Sequence, residues 1–200
     1  VLFGTKETRE QNLLAPLTIT DCAETYFKTR KLVTFDALVD FLALDPQNPS
    51  SIVSCLTWAR ENAHAVRGSI SSEMWETFNS TWLEARAQAP SRFTALNVAE
   101  FVDWVKYRAH LARGVVLASM LRDEAYHFMQ IGTFLERADG TLRLLDARST
   151  STAAEKGAND PHEWTVLLRT LSAFEAYRKL FRGALDGDRS LLTIEPIDAR

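Results

Sequence analysis

The sequence predicts an all-α protein, a multi-helix bundle, on three observations. Glycine and proline are sparse, eight and six in 200 residues, and long stretches contain neither. These residues end helices most readily, so their scarcity favours long helices over many short strands. The segment 122–147 repeats apolar residues at helical spacing, with charged residues on a separate arc. Small and polar breakers cluster between such segments rather than within them.

Helices are expected at roughly 6–14, 18–33, 34–44, 50–67, 71–88, 96–120, 122–147 and 162–184. Asp45-Pro46-Gln47-Asn48-Pro49 is a turn cluster, and Ser50 or Ser51 can cap the helix after it. Arg67-Gly68 ends that helix, and Ala89-Pro90-Ser91 breaks the fifth. The stretch 149–161 is small, polar and glycine-containing, and reads as an exposed loop. Leu17, Glu24, Tyr26 and Lys28 match Leu168, Glu175, Tyr177 and Lys179 at one constant offset. That echo raises a duplicated helical unit as the origin of the bundle. The chain opens on Val1 rather than Met, and is expected to be one helical domain over 1–200, a piece of a longer protein truncated at both ends.

Hydrophobic residues make up 46% and charged residues 24%, and the net charge is −3. A nucleic-acid binder usually carries a strongly basic balance, so none is expected as partner. No apolar run approaches the ~18 residues of a membrane span, and no signal peptide is visible, so the expected compartment is the cytoplasm. Cys22 and Cys55 form no CxxC and lie among apolar residues, which reads as two small buried hydrophobes rather than a redox pair. GxGxxG, GxxxxGK[ST], HExxH and GxSxG are all absent.

The helix at 122–147 carries the sharpest signal. Ile131, Phe134, Leu135, Ala138, Leu142 and Leu145 fill one arc, with Phe128 at its edge. Glu136, Asp139, Arg143 and Asp146 fill another, and Arg137 points away from the apolar face. Glu124 and His127 break the rule by projecting from the apolar arc. A carboxylate and an imidazole in a core cost several kcal/mol unless paired or bound, and Glu-x-x-His is the pair that carboxylate di-metal bundles use. The readings are a metal or substrate site with Glu124 and His127 as ligands, a buried pair meeting Arg or Tyr from a neighbouring helix, or an arc open to solvent at this end. A second Glu-x-x-His, Glu61 and His64, points away from its own apolar arc. Glu175 shares an arc with Trp164, Leu168 and Leu171, which adds one inward carboxylate. No cofactor is expected, with a divalent metal left open.

Trp58, Trp75, Trp82 and Trp104 read as core or groove walls. Lys106, His110 and Arg113 make a basic stripe that reads as a solvated face, and His110 and His162 look exposed. Met74, Trp75, Phe78, Trp82 and Ala85 line one side of helix 71–88; core packing is preferred there, with a homo-oligomer interface as the alternative.

Gly132-Thr133-Phe134-Leu135-Glu136-Arg137-Ala138-Asp139, followed by Thr141, Arg143, Leu144, Leu145 and Asp146, resembles the signature of the alpha-E family. Arg60-Glu61-Asn62-Ala63, then Arg67, Ile70, Glu73, Trp75, Glu76 and Asn79, resembles a second block of that family. Asp123-Glu124 and Phe174-Glu175-Ala176-Tyr177-Arg178 resemble it too, whereas His64 and His127 depart from its pattern. The resemblance implies an α-helical, bacterial protein with a Glu-Arg motif. It also implies partners: circularly permuted ATP-grasp ligases and transglutaminase-like proteins. The expected function is a non-catalytic, accessory module that binds a peptide-like or partner-protein ligand through an acid–arginine network. Its candidate residues are Arg60, Glu61, Asn62, Arg67, Glu73, Asn79, Asp123, Glu124, Glu136, Arg137, Asp139 and Arg143. Arginine can hold a carboxylate bidentately, although the same residues can simply lock helices together. The alternative is a carboxylate-based enzyme led by the Glu124–His127 pair.

Overall fold

A computed structural model describes residues 6–88, 95–149 and 161–181. Among them the secondary structure is helical throughout: α1 Lys6–Ile19, α2 Ala23–Thr29, α3 Phe35–Ala43, α4 Ile52–Ala65, a 3₁₀ turn Arg67–Ser69, α5 Ser72–Gln88, α6 Ala95–Ser119, α7 Glu124–Ser149, α8 Pro161–Thr170 and α9 Phe174–Leu180. The expected breaker Ala89-Pro90-Ser91 and most of the expected 149–161 loop lie outside the described residues. The chain divides into two compact units, 1–128 and 129–200.

Capping chemistry sets four of the starts. Thr34 accepts from the Ala37 N–H at 3.2 Å, and Ser51 accepts from the Ser54 N–H at 3.2 Å. Ser71 does the same for Met74 at 3.1 Å, and its hydroxyl also meets that of Ser119, the last residue of α6, at 2.6 Å. Asp123 caps α7, accepting from the Tyr126 N–H at 3.2 Å. Each such side chain satisfies a donor that the helix itself leaves orphaned.

Two expected helices break where the sequence gives no glycine to mark it. The segment expected as a helix at 18–33 is interrupted at Thr20–Cys22, because α1 continues through Pro16 to Ile19 and the chain then turns at Asp21, φ 52°. Cys22 N–H reaches back to the Leu17 carbonyl at 2.9 Å, and Asp21 N–H to that of Thr18 at 3.1 Å. This is a Schellman cap with aspartate in the left-handed position that glycine usually holds. The segment expected as a helix at 162–184 breaks in the same way at Ser172, φ 57°. Here Ala173 N–H meets the Leu168 carbonyl at 2.7 Å, and Ser172 N–H that of Arg169 at 3.1 Å.

The two caps are one motif used twice. Adding 151 to Leu17, Asp21, Cys22 and Tyr26 gives Leu168, Ser172, Ala173 and Tyr177, and the same shift carries the bounds of α2 onto those of α9. The ends of α1 and α8 coincide under it as well. In the first unit Leu17, Cys22 and Tyr26 are buried with Leu38 and Phe41 of α3. In the second, Leu168, Ala173 and Tyr177 are buried with Trp164 and Leu167, and Leu144 and Leu145 of α7 pack against them. The faint sequence echo therefore reports a structural repeat.

In the first unit α3 packs on α4, α4 on α5 and α5 on α6. Met74 and Ala85 are buried, and Trp75, Phe78 and Trp82 are half-buried, so the expected packing face of α5 is indeed packed. Arg108 of α6 ties it down. Its guanidinium donates to the hydroxyls of Thr81 and Ser80 at 2.8 and 2.6 Å and pairs with Glu84 at 3.4 Å.

Candidate functional site

Four of the residues singled out in the sequence come together on α4 and α5. Arg60 lies one turn and a half before the end of α4, where its side chain crosses to α5. Its Nε donates to Asn79 Oδ1 at 3.1 Å, and its Nη1 pairs with Glu61. The guanidinium carbon stands 5.6 Å from the Trp75 ring centre and 4.7 Å from that of Trp82. Arg67, in the 3₁₀ turn, places its own guanidinium 5.6 Å from Trp75, and Arg86 places its at 4.8 Å from Trp82. The order Arg67, Trp75, Arg60, Trp82, Arg86 is an alternating ladder of cations and indoles. The His64 ring meets Trp75 at 5.6 Å, and Trp82 donates its indole N–H to Thr57 Oγ1 at 3.2 Å.

Magnitudes decide what holds the ladder. A surface ion pair such as Arg60–Glu61 contributes about 0–1 kcal/mol. Each arginine over a half-buried indole contributes about 0.5–2 kcal/mol, and there are four such contacts. The stacking therefore outweighs the ion pair. The Arg60 edge is engaged by Asn79 and Glu61, and the N–H donors of Arg67 and Arg86 lie at the two ends of the ladder. Arg67 and Arg86 are exposed and have no acidic partner among the described residues. Of the α5 carboxylates, Glu84 is taken by Arg108, while Glu73 and Glu76 are exposed and pair with neither arginine.

The remaining candidates form no single network. Asn62 is exposed without a side-chain hydrogen bond among the described residues, and Asp123 serves as the cap of α7. In the second unit Asp139 and Arg143 pair along α7 at 2.7 Å, an ordinary i, i+4 pair, while Glu136 and Arg137 are exposed.

Glu124 and His127 are exposed, which corrects the inward placement expected of them. The reason lies in the arc they share: Phe128 is 72% and Leu135 66% exposed, and Ile131 and Leu142 are exposed too, whereas the buried residues of this helix are Tyr126 and Thr141, with Leu144 and Leu145 partly buried against the core of the second unit. The solvent-open arc is thus the arrangement seen. Among the described residues no group of three or more histidines, cysteines and carboxylates is placed to hold a metal ion. Glu175, expected inward, is exposed and pairs with Arg178 at 3.9 Å. Trp58, expected as a wall, is 61% exposed, and Cys55, expected buried, is exposed. Cys22 is buried as expected.

Sequence reading missed Trp75, Trp82 and Arg86 as parts of the site. Their signal was present: Arg60 and Arg67 are seven apart, Trp75 and Trp82 are seven apart, and Arg86 follows Trp82 by four. Trp75, Trp82 and Arg86 therefore share one side of α5, although Arg67 lies beyond the end of α4, in the 3₁₀ turn.

No described helix is long and apolar enough to cross a membrane. Comparison with curated proteins and with solved structures gives no match. One protein-family model matches, over residues 1–193, and its description is a predicted alpha-helical domain with a conserved ER motif. The helical fold and the match across nearly the whole sequence agree, and the chain belongs to the Alpha-E family.

Proposed function

We propose that this chain is a non-catalytic accessory module that binds a peptide-like or partner-protein ligand through the arginine cluster of α4 and α5. The observation that supports this reading is the convergence of Arg60, Glu61, Asn79 and Arg67 on the half-buried indoles of Trp75 and Trp82. Guanidiniums held beside aromatic rings are partly pre-organised, so less side-chain entropy is lost when a ligand is bound. Family resemblance supplies the setting: the bacterial cytoplasm, beside circularly permuted ATP-grasp ligases and transglutaminase-like proteins.

The test is co-purification with the ATP-grasp ligase from the same gene neighbourhood, using the wild-type chain and Arg67→Gln. Arg67 is exposed in a 3₁₀ turn, so the substitution is expected to leave helix content, read by circular dichroism, unchanged. A complex at micromolar concentration that weakens about tenfold in the variant supports the reading. Absence of a complex at that concentration overturns it.

A further inference from the structure

We infer that the Arg67–Trp75–Arg60–Trp82–Arg86 ladder is a docking surface for an acidic peptide segment in polyproline II conformation. The inference rests on the binding reading above and adds the chemistry of the ligand. The ladder carries three guanidiniums and one carboxylate, Glu61, while Glu84 of α5 is taken by Arg108 and, among the described residues, Glu73 and Glu76 pair with none of the three, so the ladder itself has a positive balance on a chain whose net charge is −3. An anionic ligand is therefore matched to this strip and repelled by the chain as a whole, which confines it to the ladder.

The form of the anion follows from the rings. Trp75 and Trp82 each already have two guanidiniums beside the ring, at 4.7 to 5.6 Å from its centre, and a nucleobase would have to compete with these for the indole. Proteins that bind single-stranded nucleic acid use bare ring faces as stacking platforms. What the ladder offers is the N–H forks of Arg67 and Arg86, which have no acidic partner among the described residues, on either side of the partly engaged Arg60, and a planar fork suits a carboxylate. The spacing sets the backbone. Trp75 and Trp82 are seven residues apart in α5, about 10 Å along the axis at 1.5 Å per residue. One turn of polyproline II helix, three residues at about 3.1 Å each, spans about 9 Å and returns every third side chain to the same side. Carboxylates at every third position of such a peptide are thus in register with successive gaps of the ladder.

The experiment is fluorescence anisotropy on the full chain with two fluorescein-labelled peptides, one with glutamate at every third position and one with glutamine there. The glutamate peptide is expected to bind about tenfold more tightly at low salt, and the preference to shrink as salt is raised. Arg67→Gln and Arg86→Gln are each expected to weaken it several-fold, while Arg113→Gln, exposed on α6 outside the ladder, leaves it unchanged. Equal binding of both peptides overturns the acidic ligand, as does an Arg113→Gln loss equal to that of the ladder variants. Stronger displacement by a single-stranded DNA oligonucleotide than by unlabelled glutamate peptide also overturns it. If neither peptide binds while the ligase still co-purifies, this inference falls and the binding reading stands. If the glutamate peptide binds with the expected variant pattern and the ligase does not co-purify, the inference stands and the partner falls.

Discussion

The two helix–turn–helix motifs share a backbone and differ in what surrounds it. In the first, Tyr26 is fully buried, meets Phe41 of α3 edge-on at 5.0 Å, and donates its hydroxyl to the Leu32 carbonyl at 2.9 Å. In the second, Tyr177 is equally buried, but its ring meets Phe181 at 5.3 Å and the core is completed by Trp164 and by Leu144 and Leu145 from the preceding helix. Leu and Tyr are the positions kept in both cores; the turn residues, Asp21 and Ser172, are not. Local backbone geometry is thus fixed by a short apolar code, while the packing partner is exchangeable.

Replacing the two tyrosines gives the largest test. Tyr26→Ala and Tyr177→Ala are each expected to cost about 3–5 kcal/mol, the range for emptying a buried aromatic site. Chemical denaturation of both variants measures it. A cost below 1 kcal/mol at either site would break the equivalence of the two motifs. Tyr26→Phe isolates the hydroxyl and is expected to cost about 1 kcal/mol.

The turns come next. Left-handed backbone costs an ordinary residue about 1–2 kcal/mol, and aspartate tolerates it better than serine. Asp21→Gly and Ser172→Gly are both expected to stabilise, by about 0.5–1 kcal/mol, with the larger gain at Ser172. Thermal melts of the two variants give the order, and a loss at either position contradicts the strain.

The smallest effect concerns a surface pair. Lys28 hydrogen-bonds Glu24 at 2.9 Å, and that bond, with the attraction between the charges, holds the Glu24 carboxyl below its ordinary value. A lowered folded-state value means that the unfolded chain takes up the proton first. The contribution is therefore present above the ordinary glutamate range and lost as pH falls through the lowered value. Glu24→Gln is expected to flatten the acid side of a stability–pH curve slightly, and an unchanged acid limb would show the pair to be inert.

The helical class was legible because it depends on many residues at once: scarce glycine, spaced leucines, and the cap at Ser51 all point the same way. The breaks at Asp21 and Ser172 were not legible, since the left-handed position carries no glycine in either copy. The inward placement of Glu124 and His127 failed for a different reason. Periodicity tells which residues share a face, and it does not tell whether anything covers that face. The ladder was half legible: Arg60, Arg67 and Asn79 were named, but the pairing of two helices through Trp75 and Trp82 is a tertiary fact.

One buried amide links events far apart in the chain. Asn48, with no exposed surface, donates to the Phe41 carbonyl at 3.1 Å and accepts from the Ser50 N–H at 3.0 Å and the Cys22 thiol at 3.5 Å. The turn after α1, the end of α3 and the start of α4 therefore share one side chain. Local opening of any of the three exposes the same amide group, so these segments are expected to exchange their protected hydrogens with deuterium as one cooperative unit.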